Sequence, residues 1–303
     1  VTVILKDVND NAPMFVSNKE VVVMENLPSG MSVFQVEAED ADEGRNSYIE
    51  YSLRRSDQSL FEVNAVDGTV KVKQSLDRER RDLYQIQVTA MDKGVPPQSS
   101  TMDLTIKVGD DNDNSPVFSP RSYRKTVSED LKVGSILMTL TATDKDTGLN
   151  ADLRYIITSG DDNQDLWLDS HTGQLYIQKR LDYERKRTYN VSVLVEDLGD
   201  PPKSDKAVVT ITVTDVNDNA PVFIDSPYVA YVRENLDIFP VHVAQVSARD
   251  EDSAPNSVIS YSMLTGDRSL FKVNASTGEI EALRTLNREE REEYSITIRA
   301  MDS

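Results

Sequence analysis

The chain has 303 residues, two to three times the length of a common single domain, so its length favours two or three domains. Its 52 Asp and Glu residues outnumber 33 Lys and Arg, and a net charge of −19 argues against binding to nucleic acid, which requires clustered basic residues. With 38% hydrophobic and 28% charged residues, no Cys and no apolar run near the ~18 residues of a membrane helix, the composition favours a soluble globular protein without disulfides or thiolate chemistry.

An acidic heptapeptide recurs along the chain. It begins at Asp7, Asp110 and Asp215, at spacings of 103 and 105 residues. This period is too long for a solenoid unit of ~20–50 residues and matches a small domain, so the chain is predicted to be a row of similar domains. The predicted segments are the end of a preceding repeat with its linker at 1–13 and repeats at 14–116, 117–221 and 222–303, the third without its last strand.

Four further acidic signatures keep the same spacing. They are a single Glu after a β-rich run, an Asp-x-Asp pair, a triplet with a basic or aromatic centre, and a lone Asp after a strand. Their positions are Glu25, Glu129 and Glu234; Asp40/Asp42, Asp144/Asp146 and Asp250/Asp252; Asp77-Arg78-Glu79, Asp182-Tyr183-Glu184 and Asn287-Arg288-Glu289; and Asp92, Asp197 and Asp302. Clustered carboxylates repel one another by about 1 kcal/mol per pair at ~4 Å even in water. Their fixed placement therefore indicates a compensating cation.

Each repeat is predicted to consist of short β-strands. Apolar and polar residues alternate over 84–90, 102–108 and 209–213, the period-two pattern of strands with one buried face. Turn signals such as Asp67-Gly68 and Thr277-Gly278 divide the sequence at intervals of roughly ten residues, and no stretch sustains a helical period. The pattern favours an all-β fold of antiparallel two-sheet sandwiches with about seven strands in each.

The donor types at the acidic signatures favour calcium. Carboxylates and amide or backbone carbonyls, with no Cys and two His in the chain, are ligands for a hard cation, and their number favours calcium over magnesium. An EF-hand is excluded because its twelfth position requires a Glu, whereas Tyr51, Tyr155 and Tyr261 stand there. The ligands must therefore converge from distant segments, at the junctions between repeats. A merely solvated acidic face is the alternative, but solubility would not fix position and order three times.

Together these motifs resemble the extracellular repeats of the cadherin superfamily along the whole chain. The resemblance also includes Leu-Phe-x-Val-Asn stretches at 60–64 and 270–274. The regular motifs, short repeats and absence of Cys are most similar to the long arrays of Fat, Dachsous or protocadherin-type proteins. The resemblance implies tandem seven-stranded, Greek-key, Ig-like β-sandwiches joined by calcium-binding linkers, and a role in calcium-dependent cell-cell adhesion or recognition.

The resemblance implies about three calcium ions at each complete junction. At the first junction the implied ligands are Glu25, Asp77, Glu79, Asp110, Asp111, Asn112, Asp113, Asn114, Asp144, Asp146, Asn150 and Asp197. At the second they are Glu129, Asp182, Glu184, Asp215, Val216, Asn217, Asp218, Asn219, Asp250, Asp252, Asn256 and Asp302. Before the first repeat lies a half junction, which has the linker and loop residues but not the Glu and triplet of a preceding repeat. Its implied ligands are Asp7, Asn9, Asp10, Asn11, Asp40, Asp42, Asn46 and Asp92. Asp111, Asn114, Asn150, Val216, Asn219, Asn256, Asn11 and Asn46 would contribute backbone carbonyls.

Two functions of different kinds remain open within this resemblance. The repeats could carry the contact surface for another cadherin ectodomain, homophilic or heterophilic, or they could form a calcium-stiffened spacer that presents a contact made elsewhere. Either function implies an ectodomain at the extracellular face of the plasma membrane, with a membrane anchor in parts of the parent chain not present here. Two N-glycosylation sequons, at Asn190 and Asn274, agree with secretion.

Enzymatic and glycan-binding functions have less support. His171 falls in a predicted turn and His242 in a predicted strand, where packing or surface roles are expected. The basic runs 78–81 and 185–187 are interleaved with acids and are predicted to form a solvated edge rather than a site for a sulfated glycan. The one Trp, Trp167, is predicted to be a core residue, because its sequence context matches that of Phe61 and Phe271.

Overall fold

The computed structural model describes residues 1–303 and consists almost entirely of β-strands, with one short 3₁₀ turn at Gly148–Asn150. It divides into two compact units. Unit 1 comprises Val1–Ser119, Ala142–Arg154 and Val195–Asp205, and unit 2 comprises Pro120–Thr141, Tyr155–Leu194 and Lys206–Ser303. Unit 1 therefore holds the first repeat with two loop regions of the second, and unit 2 holds the remainder of the second repeat with the third.

The first two repeats contain the same succession of nine strands, and the third contains seven. In the first repeat they are β1 (Met14–Phe15), β2 (Glu20–Met24), β3 (Ser32–Gln35), β4 (Ala38–Glu39), β5 (Glu50–Leu53), β6 (Phe61–Val63), β7 (Thr69–Val72), β8 (Leu83–Met91) and β9 (Ser99–Gly109). In the second they are β10 (Val117–Phe118), β11 (Ser122–Ser128), β12 (Ile136–Thr139), β13 (Ala142–Thr143), β14 (Leu153–Ser159), β15 (Leu166–Leu168), β16 (Gln174–Ile177), β17 (Thr188–Asp197) and β18 (Ser204–Thr214). In the third they are β19 (Val222–Phe223), β20 (Val241–Gln245), β21 (Ala248–Arg249), β22 (Ser260–Thr265), β23 (Phe271–Val273), β24 (Glu279–Ala282) and β25 (Thr297–Met301), without counterparts of β2 and β9.

Each of the first two repeats forms a four-stranded and a three-stranded sheet. The four-stranded sheets have the orders β2-β9-β8-β5 and β11-β18-β17-β14, and the three-stranded sheets have the orders β3-β7-β6 and β12-β16-β15. The pairs β2–β9 and β11–β18 are parallel. The third repeat has the three-stranded sheet β20-β24-β23, and its other sheet is the antiparallel pair β22–β25. Residues 1–303 contain no counterpart of β9 for this repeat.

The predicted alternation places the core between the sheets. In β8, Ile86 and Val88 are buried, and in β17 Val191 and Val193 are fully buried. Ile106 in β9 and its neighbours complete the core of the first repeat. The all-β fold predicted from the period-two pattern is confirmed.

The prediction that Trp167 is a core residue is wrong. Leu166 pairs with Ile177 just as Phe61 pairs with Val72, so Leu166 occupies the inward position of Phe61. Trp167 consequently corresponds to Glu62 and points outward, with 49% of its surface exposed. A shift of one residue reverses the face of a strand, and matching aromatic residue types by sequence missed that shift.

A glycine turn recurs between the last two strands of each three-stranded sheet. Gly68, Gly173 and Gly278 have φ values of 71°, 68° and 72°, in the left-handed region that favours glycine. A Cβ on Gly68 would lie 2.2 Å from the carbonyl oxygen of Val36. Glycine is therefore required here by both conformation and space.

Candidate metal centres

A buried glutamate ties the linker to the triplet at the first junction. Glu25 directly follows β2 and is only 3% exposed. Its Oε2 accepts a hydrogen bond from the backbone N–H of Arg78 at 2.8 Å, and its Oε1 accepts one from the backbone N–H of Asp111 at 2.9 Å. Burial of this carboxylate is therefore compensated by two backbone donors from segments distant in sequence.

The same arrangement recurs at the second junction. Glu129 accepts hydrogen bonds from the backbone N–H groups of Tyr183 and Val216, both at 2.6 Å. In the third repeat, Glu234 accepts one from the backbone N–H of Arg288 at 2.9 Å. The recurring Glu thus has one structural role throughout the chain, which is to position the acidic triplet.

The last Asn of each linker docks onto the Asp-x-Asp loop. At the first junction, the backbone N–H of Asn114 donates to Asp146 Oδ2 at 3.1 Å, and its side-chain Nδ2 donates to Asp146 Oδ1 at 2.7 Å. Asp144 Oδ1 accepts from the backbone N–H of Asp146 at 3.1 Å. Equivalent contacts join Asn11 to Asp42 and Asn219 to Asp252. These bonds hold one linker residue against the repeat that follows.

The first Asp of each linker reaches a second part of that loop. Asp110 Oδ2 accepts from Asn150 Nδ2 at 2.8 Å and from the backbone N–H of Thr147 at 3.1 Å. The pairs Asp7–Asn46 and Asp215–Asn256 repeat the Nδ2 contact, each at 2.8 Å. Linker residues therefore contact the loop at both ends of the acidic string.

A third contact involves the lone Asp after the strand. Asn112 Nδ2 donates to Asp197 Oδ1 at 3.2 Å and to the carbonyl of Pro201 at 2.8 Å. Gly199 makes this approach possible, because a Cβ there would lie 2.2 Å from Asn112 Nδ2. Asn9, Asp92 and Gly94 repeat the arrangement at the half junction. At the second junction, Asn217 donates instead to the carbonyl of Ser303 at 3.1 Å, beside the half-buried Asp302.

Several oxygens in these centres are buried without a hydrogen-bond donor. Eight buried side-chain atoms among residues 1–303 lack a hydrogen-bond partner, and six of them belong to predicted ligands. These six are Asn9 Oδ1, Asp40 Oδ2, Asn112 Oδ1, Asp144 Oδ2, Glu184 Oε1 and Asp250 Oδ2. An unpaired buried acceptor is costly unless something else satisfies it. Carboxylate and amide oxygens oriented in this way fit a hard cation such as calcium.

Carboxylates also converge around the Glu of the triplet. Four groups of three carboxylates have ligand atoms within 4.8 Å of one another. They are Glu25, Glu79 and Asp113; Glu79, Asp110 and Asp146; Glu129, Glu184 and Asp218; and Glu184, Asp215 and Asp252. Glu79 and Glu184 each belong to two groups. Each therefore lies where it could bridge two cation positions.

The two junctions differ in their electrostatics. At the first, the guanidinium of Arg78 pairs with Asp110 and Glu79, and its Nη2 donates to the carbonyl of Lys145 at 2.7 Å. At the second, Tyr183 occupies the position of Arg78 and offers no positive charge. Burial, a hydrogen bond with Asp215 and the negative charge of Glu129 raise the pKa of Glu184 to about 7.

The acids of the first junction show the same effect in weaker form. Burial raises the pKa of Glu79, and the nearby charge of Glu25 adds to the rise. Burial likewise raises the pKa of Asp146, although hydrogen bonds from Asn114 oppose the change. Removing carboxylates from water disfavours their charged forms, so both junctions favour a bound positive charge.

The first Asp of each of the first two triplets lies outside the converging groups. Asp77 Oδ1 accepts from the backbone N–H of Arg80 at 2.8 Å, and Asp182 Oδ1 accepts from that of Arg185 at 2.7 Å. Both carboxylates thus cap the turn after the triplet and remain exposed.

Sequence reasoning missed several contacts of these centres. Asn26 adopts a left-handed conformation, with a φ of 60°, and its Nδ2 donates to Asp113 Oδ2 at 2.7 Å. Arg180 pairs with Asp218 at 2.9 Å. The position of Asn26 beside the recurring Glu25 was an available signal, whereas nothing in the sequence pattern pointed to Arg180.

The basic runs are engaged within the chain. Arg81 lies over the Tyr84 ring at 4.4 Å, and Lys186 lies over the Tyr189 ring at 4.2 Å. Arg185 pairs with the buried Asp165 at 3.1 Å. Cation–π contacts and an ion pair therefore hold these basic side chains against the chain itself rather than leaving them as a free patch for an anionic glycan.

Comparison with known proteins agrees with this geometry. The family model of the cadherin domain matches residues 19–109, 123–214 and 228–303, and the chain belongs to the cadherin family. Cadherin repeats are adhesion modules rather than enzymes, and calcium binding is a general property of cadherin domains. No helix in residues 1–303 has the length and hydrophobicity needed to cross a membrane.

The relatives include long protocadherins. Mouse protocadherin Fat 4 is 40% identical over 303 residues, which is 100% of this chain and 6% of that protein. Human protocadherin Fat 1 is 38% identical over 302 residues, 99% of this chain and 7% of that protein. The solved structure of mouse cadherin-23 EC22-24 is 29% identical with a TM-score of 0.78, and the match covers 97% of this chain and 94% of that one. The resemblance to Fat and protocadherin-type arrays is confirmed.

Replacing Gly199 by Ala tests the contact at Asn112. The added methyl group would displace the Asn112 side chain, so we expect calcium affinity at the first junction to fall about tenfold, the lower range for lost support of a metal ligand. Isothermal titration calorimetry with calcium measures this affinity. Gly134→Ala is the control, because a Cβ at Gly134 has nothing within 4 Å. Its φ of 86° lies in the left-handed region, unlike that of Gly199, so the control is the more demanding change for the backbone. Equal losses in the two variants would contradict the assignment.

Glu184 predicts a pH effect in the absence of calcium. Because its pKa is raised to about 7 in the folded chain, against ~4.3 for an unperturbed Glu, the folded state retains a proton that the unfolded state has released. Thermal stability in chelator should therefore fall as the pH rises from about 4.5 to about 7.5. Glu184→Gln should flatten this dependence, as calorimetry across that range would measure. An identical pH profile in the two proteins would show that Glu184 titrates normally.

Proposed function

We propose that this chain is part of the extracellular array of a calcium-dependent adhesion or recognition protein, in which calcium at the junctions fixes neighbouring repeats to one another. The proposed repeats are 14–116, 117–221 and 222–303, with 1–13 as the end of a preceding repeat and its linker. The observation that supports this most strongly is the set of six predicted ligand oxygens buried without donors.

About three calcium ions are proposed for the first junction. The outermost ion would be held by Glu25, Asp77, Glu79 and Asp113. The middle ion would be held by Glu25, Glu79, Asp110, Asp113 and Asp146, with the Asp111 carbonyl. The inner ion would be held by Asn112, Asp144, Asp146 and Asp197, with the carbonyls of Asn114 and Asn150. The carboxylate groups that share Glu79 support the division between the outer and middle positions.

The same division is proposed for the second junction. Its ligands would be Glu129, Asp182, Glu184, Asp215, Asn217, Asp218, Asp250, Asp252 and Asp302, with the carbonyls of Val216, Asn219 and Asn256. Glu184 would take the bridging position of Glu79, as the two groups that share it suggest. The half junction would take part of a set from Asp7, Asn9, Asp10, Asp40, Asp42 and Asp92, with the carbonyls of Asn11 and Asn46.

The proposed mechanism is electrostatic. Bound calcium supplies positive charge that neutralises the converging carboxylates. Glu25 contributes from one repeat, Asp110 from the linker and Asp146 from the next repeat, so neutralisation links three segments at one point. Without a cation, these carboxylates repel one another, and the linker is held to the Asp-x-Asp loop by hydrogen bonds alone. Extracellular modules bind calcium with dissociation constants of ~10⁻⁴–10⁻³ M, which suits an extracellular setting.

The proposed partner is another cadherin ectodomain, homophilic or heterophilic, with membrane attachment through parts of the parent protein not present here. The chain matches protocadherin Fat proteins along its whole length, which supports this class of partner. Asn190 and Asn274 are both exposed, so glycosylation at either sequon is proposed as well. The alternative is a calcium-stiffened spacer. The chain matches only 6% of mouse protocadherin Fat 4, so the match is equally compatible with a contact made elsewhere in such a protein.

Aggregation of coated beads separates adhesion from the spacer role. Beads coated with the full chain should aggregate in millimolar calcium and disperse in chelator. Dispersed beads in both conditions, together with calcium-dependent thermal stabilisation of the free chain, would favour the spacer. Beads that aggregate equally in chelator would contradict a calcium-dependent contact.

Two aspartates of the first junction should differ in their effect on calcium binding. Asp146→Ala should remove about two bound ions, because Asp146 is assigned to the middle and inner positions, whereas Asp77→Ala should weaken only the outermost. Isothermal titration of the full chain gives the number and affinity of the sites. Equal losses in both variants would refute the assignment.

A further inference from the structure

An apolar row crosses the outer face of the three-stranded sheet in the second repeat. The strand register places Ile136 opposite Tyr176 and Trp167 opposite Tyr176, so the three side chains lie side by side across β12, β16 and β15. Ile136 is 55% exposed and Trp167 49% exposed. The Trp167 and Tyr176 rings have centroids 5.0 Å apart. We call these three residues the apolar row.

The other two repeats place polar residues at the same positions. The first repeat has Ser32, Lys71 and Glu62 in this register. The third has His242, Glu281 and Lys272. The fold therefore accepts charged side chains here, and the apolar row is not a requirement of the β-sandwich.

The whole three-stranded sheet of the second repeat lacks charge. Its strands β12, β15 and β16 contain no Asp, Glu, Lys, Arg or His, whereas the equivalent strands of the first and third repeats contain several. Depletion of charge together with an exposed Trp and a half-buried Tyr is typical of the centre of a protein–protein interface. Neither sequon lies on this sheet, because Asn190 is in β17 and Asn274 lies between β23 and β24.

We propose that the apolar row is a self-association surface whose partner is the same row on a second copy of this chain. This inference rests on the proposed adhesive function and names its surface and partner. Two chains of net charge −19 repel one another over most of their surfaces, and about six proposed calcium ions, at two charges each, would still leave each chain negative. The uncharged sheet is a place where they can meet without opposing like charges.

The row is also complementary to itself. A two-fold axis that runs parallel to the strands, between the two facing sheets and over Tyr176, reverses the order of the row in the second copy. Trp167 of one chain then lies over Ile136 of the other, which matches a large aromatic side chain with a smaller aliphatic one. A pairing of this kind occurs twice in the dimer.

The size of the row predicts a weak contact. Three side chains cover much less than the about 800 Å² that each partner contributes to a standard stable interface. Self-association of the free chain should therefore require high concentration, whereas many copies on one surface should bind together through avidity.

A paired cysteine experiment tests the geometry. The chain contains no Cys, so introduced thiols are unique. An Ile136→Cys chain mixed with a Trp167→Cys chain should form an oxidised dimer, because the two positions face each other between copies while the reciprocal Trp–Ile contact stays intact. Each variant alone should give little dimer. Mixing that produces no more crosslinking than either variant alone would overturn the two-fold arrangement.

A charge substitution tests the surface. Trp167→Glu places at this position the residue type found at Glu62, so folding should be retained, and circular dichroism in calcium checks this. Sedimentation should show self-association of the full chain weakened at least tenfold by Trp167→Glu. Val22→Glu, at a residue 66% exposed on the other sheet of the first repeat, is the control and should have no effect.

Failure of this inference can be distinguished from failure of the proposed function. Calcium-dependent bead aggregation that Trp167→Glu leaves unchanged would overturn the apolar row and retain adhesion. Crosslinking as predicted, with beads that stay dispersed in calcium, would support the self-association surface and contradict an adhesive role for this segment. Loss of bead aggregation in Trp167→Glu but not in Val22→Glu would support both the apolar row and the adhesive function.

Discussion

Mutual repulsion among converging carboxylates is the constraint on which the junctions depend. Glu79 shares one cluster with Glu25 and another with Asp146, so three segments bring negative charge to the same place. Hydrogen bonds position these groups but do not satisfy all of them, since Asn112 Oδ1 and Asp144 Oδ2 remain without donors. The fold thus fixes the acceptors, Arg78 compensates part of the negative charge at the first junction, and the proposed calcium would compensate the rest.

The same side chains serve both the hydrogen bonds and the proposed cation sites. Asn112 illustrates this, because its Nδ2 donates to Asp197 while its Oδ1 stays unpaired. Asp144 likewise uses Oδ1 for the backbone of Asp146 and leaves Oδ2 unpaired. One atom of each side chain therefore maintains the loop geometry, and the other is available to a ligand. This explains why Asn and Asp alternate in the linker, since an amide can donate and accept in the same position.

The sequence predicted those features that depend on periodicity. The alternation in β8 indicated a buried face and the spacing of acidic motifs indicated convergence, because both patterns repeat along the chain. The orientation of Trp167 could not be obtained by matching aromatic residues, since a shift of one residue within β15 reverses the face. The pairing of Arg78 with Asp110 was also out of reach, because a long side chain next to several acids has many possible partners.

The three repeats share one framework and differ in what they add to it. The first carries a charged row at Glu62 and Lys71, and the second carries the apolar row with Trp167. Their junctions differ similarly, with Arg78 in one and Tyr183 in the other. Residues that maintain the sandwich and the junctions recur with the period, whereas residues that distinguish one repeat from another interrupt it. Departures from the repeat are therefore where specific function is expected.

The most direct test of the account is a crystal structure of the chain grown with calcium. We expect one calcium ion within the 2.3–2.6 Å typical of Ca–O contacts from Asn112 Oδ1 and Asp144 Oδ2, and a second ion bridged by Glu79. Water or protein donors on those oxygens, with calcium bound elsewhere on the chain, would contradict the proposed junctions.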